Sequence, residues 1–141
     1  MKRNASATWS GGLKDGRGKF SLGSGLVKDI GFGFRTRFED EPGTNPEELI
    51  AAAHSGCFSM ALAFALGAAG FTPTSIDTEA TVTLSPVEGG FAISGIALKL
   101  NASVPGISKD QFDQIAAGAK ANCPVSKALS AVPITLESTL T

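Results

Sequence analysis

The sequence predicts an α+β fold, mainly antiparallel strands around one long central helix, in a single domain over residues 1–141. Three observations carry this. Residues 49–69 are almost continuously small and apolar, and helix-start signals over 45–48 precede them. Ile76, Ala80, Val82 and Leu84 alternate with Asp77, Glu79, Thr81 and Thr83, as in a sheet with one wet face. The order of elements reads strand, strand, strand, helix, strand, strand, helix, strand. It lacks the regular strand–helix alternation of a parallel doubly wound sheet.

Residues 5–10 read as a first strand carrying Trp9. A glycine-rich turn over 11–18 leads to a second strand at 19–22, and Gly23-Ser24-Gly25 turns the chain again. Residues 31–38 then alternate. Phe32, Phe34, Thr36 and Phe38 fall on one strand face, with Arg35 and Arg37 on the other. An acidic loop at 39–43 precedes the central helix.

Asn45 is a good N-cap, because its side-chain oxygen can take up a free amide of the first turn. Pro46 suits the first helical position, whose amide would be orphaned anyway. Glu47 and Glu48 suit the helix dipole, and Glu48 stands three residues after Asn45 as in a capping box. Gly70 is a natural C-cap. Residues 46–69 make roughly 36 Å of helix. The second half (Ala61-Leu62-Ala63-Phe64-Ala65-Leu66) has no polar face, which predicts a buried helix.

Residues 70–73 form a loop. Glu88-Gly89-Gly90 predicts a hairpin turn into a strand over 91–100. After a loop at 104–107, Ser108 and Gln111 form a capping box for a second helix, with Phe112, Ile115, Ala116 and Ala119 as its apolar stripe. Pro124 ends that helix. Residues 125–129 read as a short helical turn, and 133–140 as the last strand.

Twelve Lys and Arg stand against 13 Asp and Glu, a net charge of −1. Nucleic-acid binding is not expected, since it needs a basic surface that displaces counterions. Met1-Lys2-Arg3-Asn4 leads into polar sequence rather than an apolar signal segment. The central helix is rich in Ala and Gly, contains His54 and has no basic flank, so no membrane partner is expected. A cytoplasmic location with reduced thiols follows as the default. Two cysteines and one histidine are too few for a structural zinc site.

Cys57 and Cys123 are 66 residues apart, one inside a predicted helix and one at the end of another. They can be two buried structural thiols, since free Cys is among the most buried residue types. They can also be a redox pair, in which one thiol is oxidised and the other resolves it; that needs a thiolate and hence a nearby cation or a helix N-terminus. Cys57 lies roughly three turns into its helix, beyond the reach of the dipole, so a separate cation is required. His54, Arg35 and Arg37 are the candidates. His54 shares a face with Cys57 at i, i+3, which suits either a Cys–His nucleophile pair or a packed core histidine. Capping explains Glu47 and Glu48 without a catalytic role.

Several segments resemble the OsmC/Ohr peroxidases, the osmotically inducible protein C and organic hydroperoxide resistance proteins. They are Thr36-Arg37-Phe38-Glu39, Gly43-Thr44-Asn45-Pro46-Glu47-Glu48-Leu49 and Ala52-Ala53-His54-Ser55-Gly56-Cys57-Phe58-Ser59-Met60-Ala61-Leu62. Gly70-Phe71-Thr72-Pro73, Val104-Pro105-Gly106 and Asn122-Cys123-Pro124-Val125-Ser126 follow in matching order. The resemblance covers almost the whole chain and is closer to the OsmC branch. It implies reduction of hydroperoxides, organic ones by preference, in stress defence. It makes Cys57 the peroxidatic thiol, Cys123 the resolving thiol, Arg37 the arginine that stabilises the thiolate and Glu47 the glutamate that holds Arg37. It implies no metal and no organic cofactor, and a dithiol reductant such as dihydrolipoamide, free or on a lipoylated partner protein. Arg35 lies outside the family's signature.

Helix geometry then bears on assembly. Glu47 and Cys57 are ten positions apart, roughly 15 Å along one helix. An arginine that contacts the thiolate is not reached by the Glu47 of the same helix. Two antiparallel copies crossing near Ala52 solve this, and Ala51-Ala52-Ala53 and Gly56 let them approach closely. The expected assembly is an intertwined homodimer with composite sites, Cys57 and Cys123 from one chain and Arg37 and Glu47 from the other. The family is dimeric with interface sites, which agrees. Phe34, Phe38, Phe58, Met60 and Phe64 are candidates for an alkyl-tail pocket or for plain core. Two other readings stay open: a non-catalytic homodimer that binds an apolar ligand, and a Cys–His hydrolase, which lacks an evident Asp or Asn to orient His54.

Overall fold

Short antiparallel pairings bring residues 5–33 together in the computed structural model, which describes residues 1–141. Contacts along the chain divide it into an N-terminal unit, Met1–Leu49, and a C-terminal unit, Ile50–Thr141.

In the N-terminal unit, β1 (Ala5–Ser10), β2 (Arg17–Leu22) and β3 (Ile30–Gly33) form one antiparallel sheet in that order. Phe32 holds it together, stacking on Phe20 at 3.9 Å and tilting against Trp9 at 5.5 Å between ring centroids. Gly18 faces Phe32 in register, and a Cβ there would stand 2.3 Å from the ring.

The expected strand over 31–38 is corrected by the structure. It ends at Gly33, and Phe34–Phe38 is a helical turn, α1. Thr36 is the cause. Its hydroxyl accepts the Gly33 N–H at 2.9 Å and lies 2.9 Å from the Thr44 carbonyl, closing a cap where an extended chain would run on. Arg35 and Arg37 therefore sit on a helical turn rather than on one strand face. Phe34 and Phe38, now four apart on a helix, meet at 4.9 Å.

Helix α2 spans Pro46–Ala68. Asn45 caps it, accepting the Glu48 N–H at 2.9 Å. Gly70 stops it at φ +87°, a conformation glycine adopts without strain, and the Phe71 N–H closes onto the Leu66 carbonyl at 2.9 Å.

In the C-terminal unit, β4 (Ser75–Val87) and β5 (Gly90–Ser103) make the expected hairpin. α3 (Lys109–Asn122) starts at Ser108, whose hydroxyl accepts the Gln111 N–H. α4 (Pro124–Ala128) follows directly, and β6 (Ile134–Leu140) closes the sheet in the order β4-β5-β6. β6 runs parallel to β5, because α3 and α4 form a crossover long enough to return the chain in the same direction. The antiparallel expectation holds for the other three strand pairs.

The core joins Phe58, Leu62 and Leu66 of α2 to Leu98, Leu100 and Ala102 of β5, with Phe112, Ala116 and Ala119 of α3. Each buried Leu or Phe contributes on the order of 1.5–3 kcal/mol by leaving water. The expectation that α2 is buried all round is also corrected. His54, Phe58, Leu62 and Leu66, spaced by four, form its single buried stripe, while Met60 is 76% and Phe64 80% exposed. One helix can give a sheet-and-helix layer only one face, and the apolar residues opposite stay uncovered in the isolated chain.

Candidate active site

Two clusters carry the reactive side chains. In the C-terminal unit, Cys57 is half-buried on α2 and Cys123 is fully buried at the N-cap of α4. Both are free thiols, and their Sγ atoms stand 3.1 Å apart. Pro124 at the first position of α4 turns the chain sharply out of α3, so the Cys123 sulfur meets the new helix N-terminus.

The surroundings of the two sulfurs differ. Burial pushes the Cys57 thiol up, and the Val125 N–H only partly offsets this. Cys123 is lowered although burial opposes it, because the Ser126 N–H, the Cys57 thiol, the Ser126 hydroxyl and the Val125 N–H all favour its charged form. The two sulfurs share one hydrogen bond, and their surroundings favour the charged form at Cys123 more than at Cys57. Cys57 opens onto an apolar groove of about 750 Å³ between α2 and α3, lined by Met60, Ala61, Phe64, Ala65, Ile115 and Ala119 among others. Of the five expected pocket residues, Met60 and Phe64 line this groove, and Phe58 is core.

In the N-terminal unit, Arg37 meets Glu47 bidentately. Nη2 lies 2.8 Å from Oε1, and Nε lies 3.2 Å from both carboxylate oxygens. Such a fork fixes the plane of the guanidinium as well as its position. The Thr36 cap and the bond from Asn45 Nδ2 to the Thr36 carbonyl, 3.3 Å, tie α1 to the start of α2 and so set this pair. The guanidinium also covers the Phe38 ring at 5.1 Å. Trp9, Phe32, Phe34, Phe38 and Pro46 line a groove of about 300 Å³ with Arg37 in it. Arg35 takes Glu41 instead. The structure thus joins Cys57 to Cys123 and Arg37 to Glu47, the two pairs lying in different units.

His54 is fully buried, and its Nε2 bonds Ser126 Oγ at 2.8 Å rather than Cys57. Its Nδ1 is buried with no partner, and burial lowers the ring's pKa. Sequence reasoning gave Ser126 no role. The available signal was its position three residues after Cys123, where an N3 residue faces an N-cap side chain.

A family model described as OsmC-like protein matches residues 38–137. The chain is 56% identical over 137 residues to "Peroxiredoxin OsmC" of Escherichia coli (strain K12), covering 97% of this chain and 95% of that protein. It is 31% identical over 102 residues to "Organic hydroperoxide resistance protein OhrA" of Bacillus subtilis (strain 168), covering 69% of this chain and 68% of that one. The crystal structure of the organic hydroperoxide resistance protein OhrB of Bacillus subtilis superposes with a TM-score of 0.72 at 26% identity, covering 96% and 98% of the two chains. The chain belongs to the OsmC-like family.

Proposed function

We infer that this chain is a cysteine peroxidase that reduces organic hydroperoxides to alcohols. The observation that carries the reading is a pair of free thiols 3.1 Å apart, one of them at the mouth of an apolar groove. The relatives named for peroxiredoxin activity and for organic hydroperoxide resistance support it.

Cys57 is the peroxidatic residue, because it is the sulfur that opens on the groove. Its thiolate attacks the distal peroxide oxygen, the O–O bond breaks, and the alkoxide leaves and takes up a proton as alcohol. Cys57 becomes a sulfenic acid. Cys123 condenses with it to a disulfide and water. An apolar groove favours an alkyl or aryl hydroperoxide over hydrogen peroxide, since the tail leaves water on binding.

Burial raises Cys57, the opposite of what a peroxidatic thiol needs, so a cation must come from outside its own unit. Arg37 of the partner subunit, held by Glu47 of the partner subunit, supplies it in an intertwined homodimer. The uncovered apolar face of α2 supports that assembly. The reaction takes no metal and no organic cofactor. The reductant is a dithiol of the dihydrolipoamide type, free or on a lipoylated protein, and the setting is the reducing cytoplasm.

The test is intact mass after one equivalent of cumene hydroperoxide, on wild type and Cys123→Ser. Loss of two hydrogens in the wild type and gain of one oxygen in the variant are expected. Unchanged mass in both would mean that the thiols are structural.

A further inference from the structure

His54 and Ser126 are buried polar residues that the steps above leave unused. They join α2 to α4 through a polar bond at 2.8 Å, and Ser126 sits one turn after the sulfur of Cys123. The unpartnered Nδ1 sets the direction of that bond. A buried orphan N–H costs more than a buried orphan lone pair, so the ring's hydrogen sits on Nε2. Neutral His54 then donates to Ser126 Oγ. The Ser126 hydroxyl, accepting from His54, keeps its own hydrogen free for Cys123, whose charged form it favours. Burial lowers the pKa of His54, which keeps the ring in this neutral donor form.

We propose that His54 and Ser126 clamp the Cys123 sulfur as a thiolate, Ser126 as the catalytic donor to that sulfur and His54 as the residue that positions it. The proposal rests on the peroxidase reading. In closure, the Cys123 thiolate attacks the sulfur of the Cys57 sulfenic acid. The S–S bond forms, the S–O bond breaks, and the departing hydroxide takes up the proton that Cys123 gave up, leaving as water. In reopening, a thiolate of the dithiol attacks Cys57 Sγ, which lies open to the groove, while Cys123 is wholly buried. Cys123 leaves as the stabilised thiolate, and a lower-pKa thiol leaves faster. The second thiol of the reductant then displaces Cys57 and completes its oxidation to the reductant's own disulfide.

Cys57 and His54 of α2 are the titratable groups facing Cys123. Lys127 of α4 is exposed, and Lys120 of α3 gives its Nζ to the Ile134 carbonyl at 3.0 Å. The experiment is titration of the thiolate absorbance near 240 nm in a Cys57→Ser background, where Cys123 alone reports. Adding Ser126→Ala should raise its apparent pKa by about one unit, the loss of one charge-assisted hydrogen bond. Ser126→Thr should restore it, and His54→Gln, which keeps an N–H near Nε2, should disturb it less than His54→Leu. In the otherwise wild-type chain, Ser126→Ala should slow conversion of sulfenic acid to disulfide about tenfold. An unchanged titration in Ser126→Ala overturns the clamp while leaving the peroxidase reading intact. A wild type that forms no disulfide with peroxide overturns the peroxidase reading, and with it the catalytic use of the clamp.

Discussion

Cys57 Sγ stands 3.1 Å from Cys123 Sγ with both sulfurs reduced. A disulfide needs about 2.05 Å, so closure asks for roughly 1 Å of approach. It would also tie α2 to α4 across 66 residues of chain. In the chain-entropy picture such a loop stabilises by about 4 kcal/mol. The oxidised protein should therefore melt above the reduced one, as read by thermal unfolding with and without dithiothreitol. A lower melting temperature after oxidation would show that the bond strains the packing of the two helices.

The Arg37–Glu47 fork yields a second prediction. Replacing Arg37 by Met removes the cation proposed to favour the Cys57 thiolate, so the acid limb of the kcat/KM profile should move to higher pH. Glu47→Gln should shift it the same way and by less, because the guanidinium keeps its charge but loses its anchor. The pair itself is part-buried, with side-chain exposures of 37% and 11%, and a double-mutant cycle on unfolding should give a coupling of about 1 kcal/mol. Arg35→Met serves as the comparison, since Arg35 is engaged by Glu41. A profile that moves with Arg35 and not with Arg37 would reverse the assignment.

Local chemistry made the caps and turns readable. Asn45 and Ser108 each take the N–H three residues on, and Gly70 stops α2, because these effects need only a few neighbouring residues. The 31–38 segment misled for the same reason. Alternating Phe32, Phe34, Thr36 and Phe38 look alike whether or not the chain stays extended, and a single hydroxyl on Thr36, reaching Thr44, turned it into a helix. The parallel pairing of β5 with β6 and the uncovered face of α2 are tertiary facts with no local signal. Ser126 gave only the signal of its N3 position after Cys123, and its partner His54 comes from a helix 72 residues away in sequence.

Burial of His54 makes stability depend on pH. Its folded pKa lies below the ordinary 6.5. Above 6.5 both folded and unfolded chains hold the ring neutral, and the full contribution is present. As pH falls below 6.5 the unfolded chain binds a proton that the folded chain resists, so stability declines until the folded pKa is passed. Denaturant unfolding at pH 7.5 and 5.5 should show the loss, and His54→Gln should flatten it. An equal slope in the variant would place the responsible group elsewhere.

Assembly gives the last prediction. Ala52, Ala53 and Gly56 are exposed on α2, and a Cβ added at Gly56 meets nothing within 4 Å in the single chain. Small residues on an open helix face let a second helix come close, and the exposed Met60 and Phe64 lie further along the same helix. If two copies cross near Ala52, an indole there would hold them apart. Sedimentation should find the wild type dimeric at low micromolar concentration and Ala52→Trp shifted to monomer. The same variant should lose turnover with cumene hydroperoxide and dithiol, because Cys57 would no longer meet Arg37 of the partner subunit. Its two thiols should still close to a disulfide with a general oxidant such as diamide, since the contact between Cys57 and Cys123 lies within one chain. A wild type that is monomeric at these concentrations, or an Ala52→Trp monomer with full turnover, would show that one chain suffices for the chemistry.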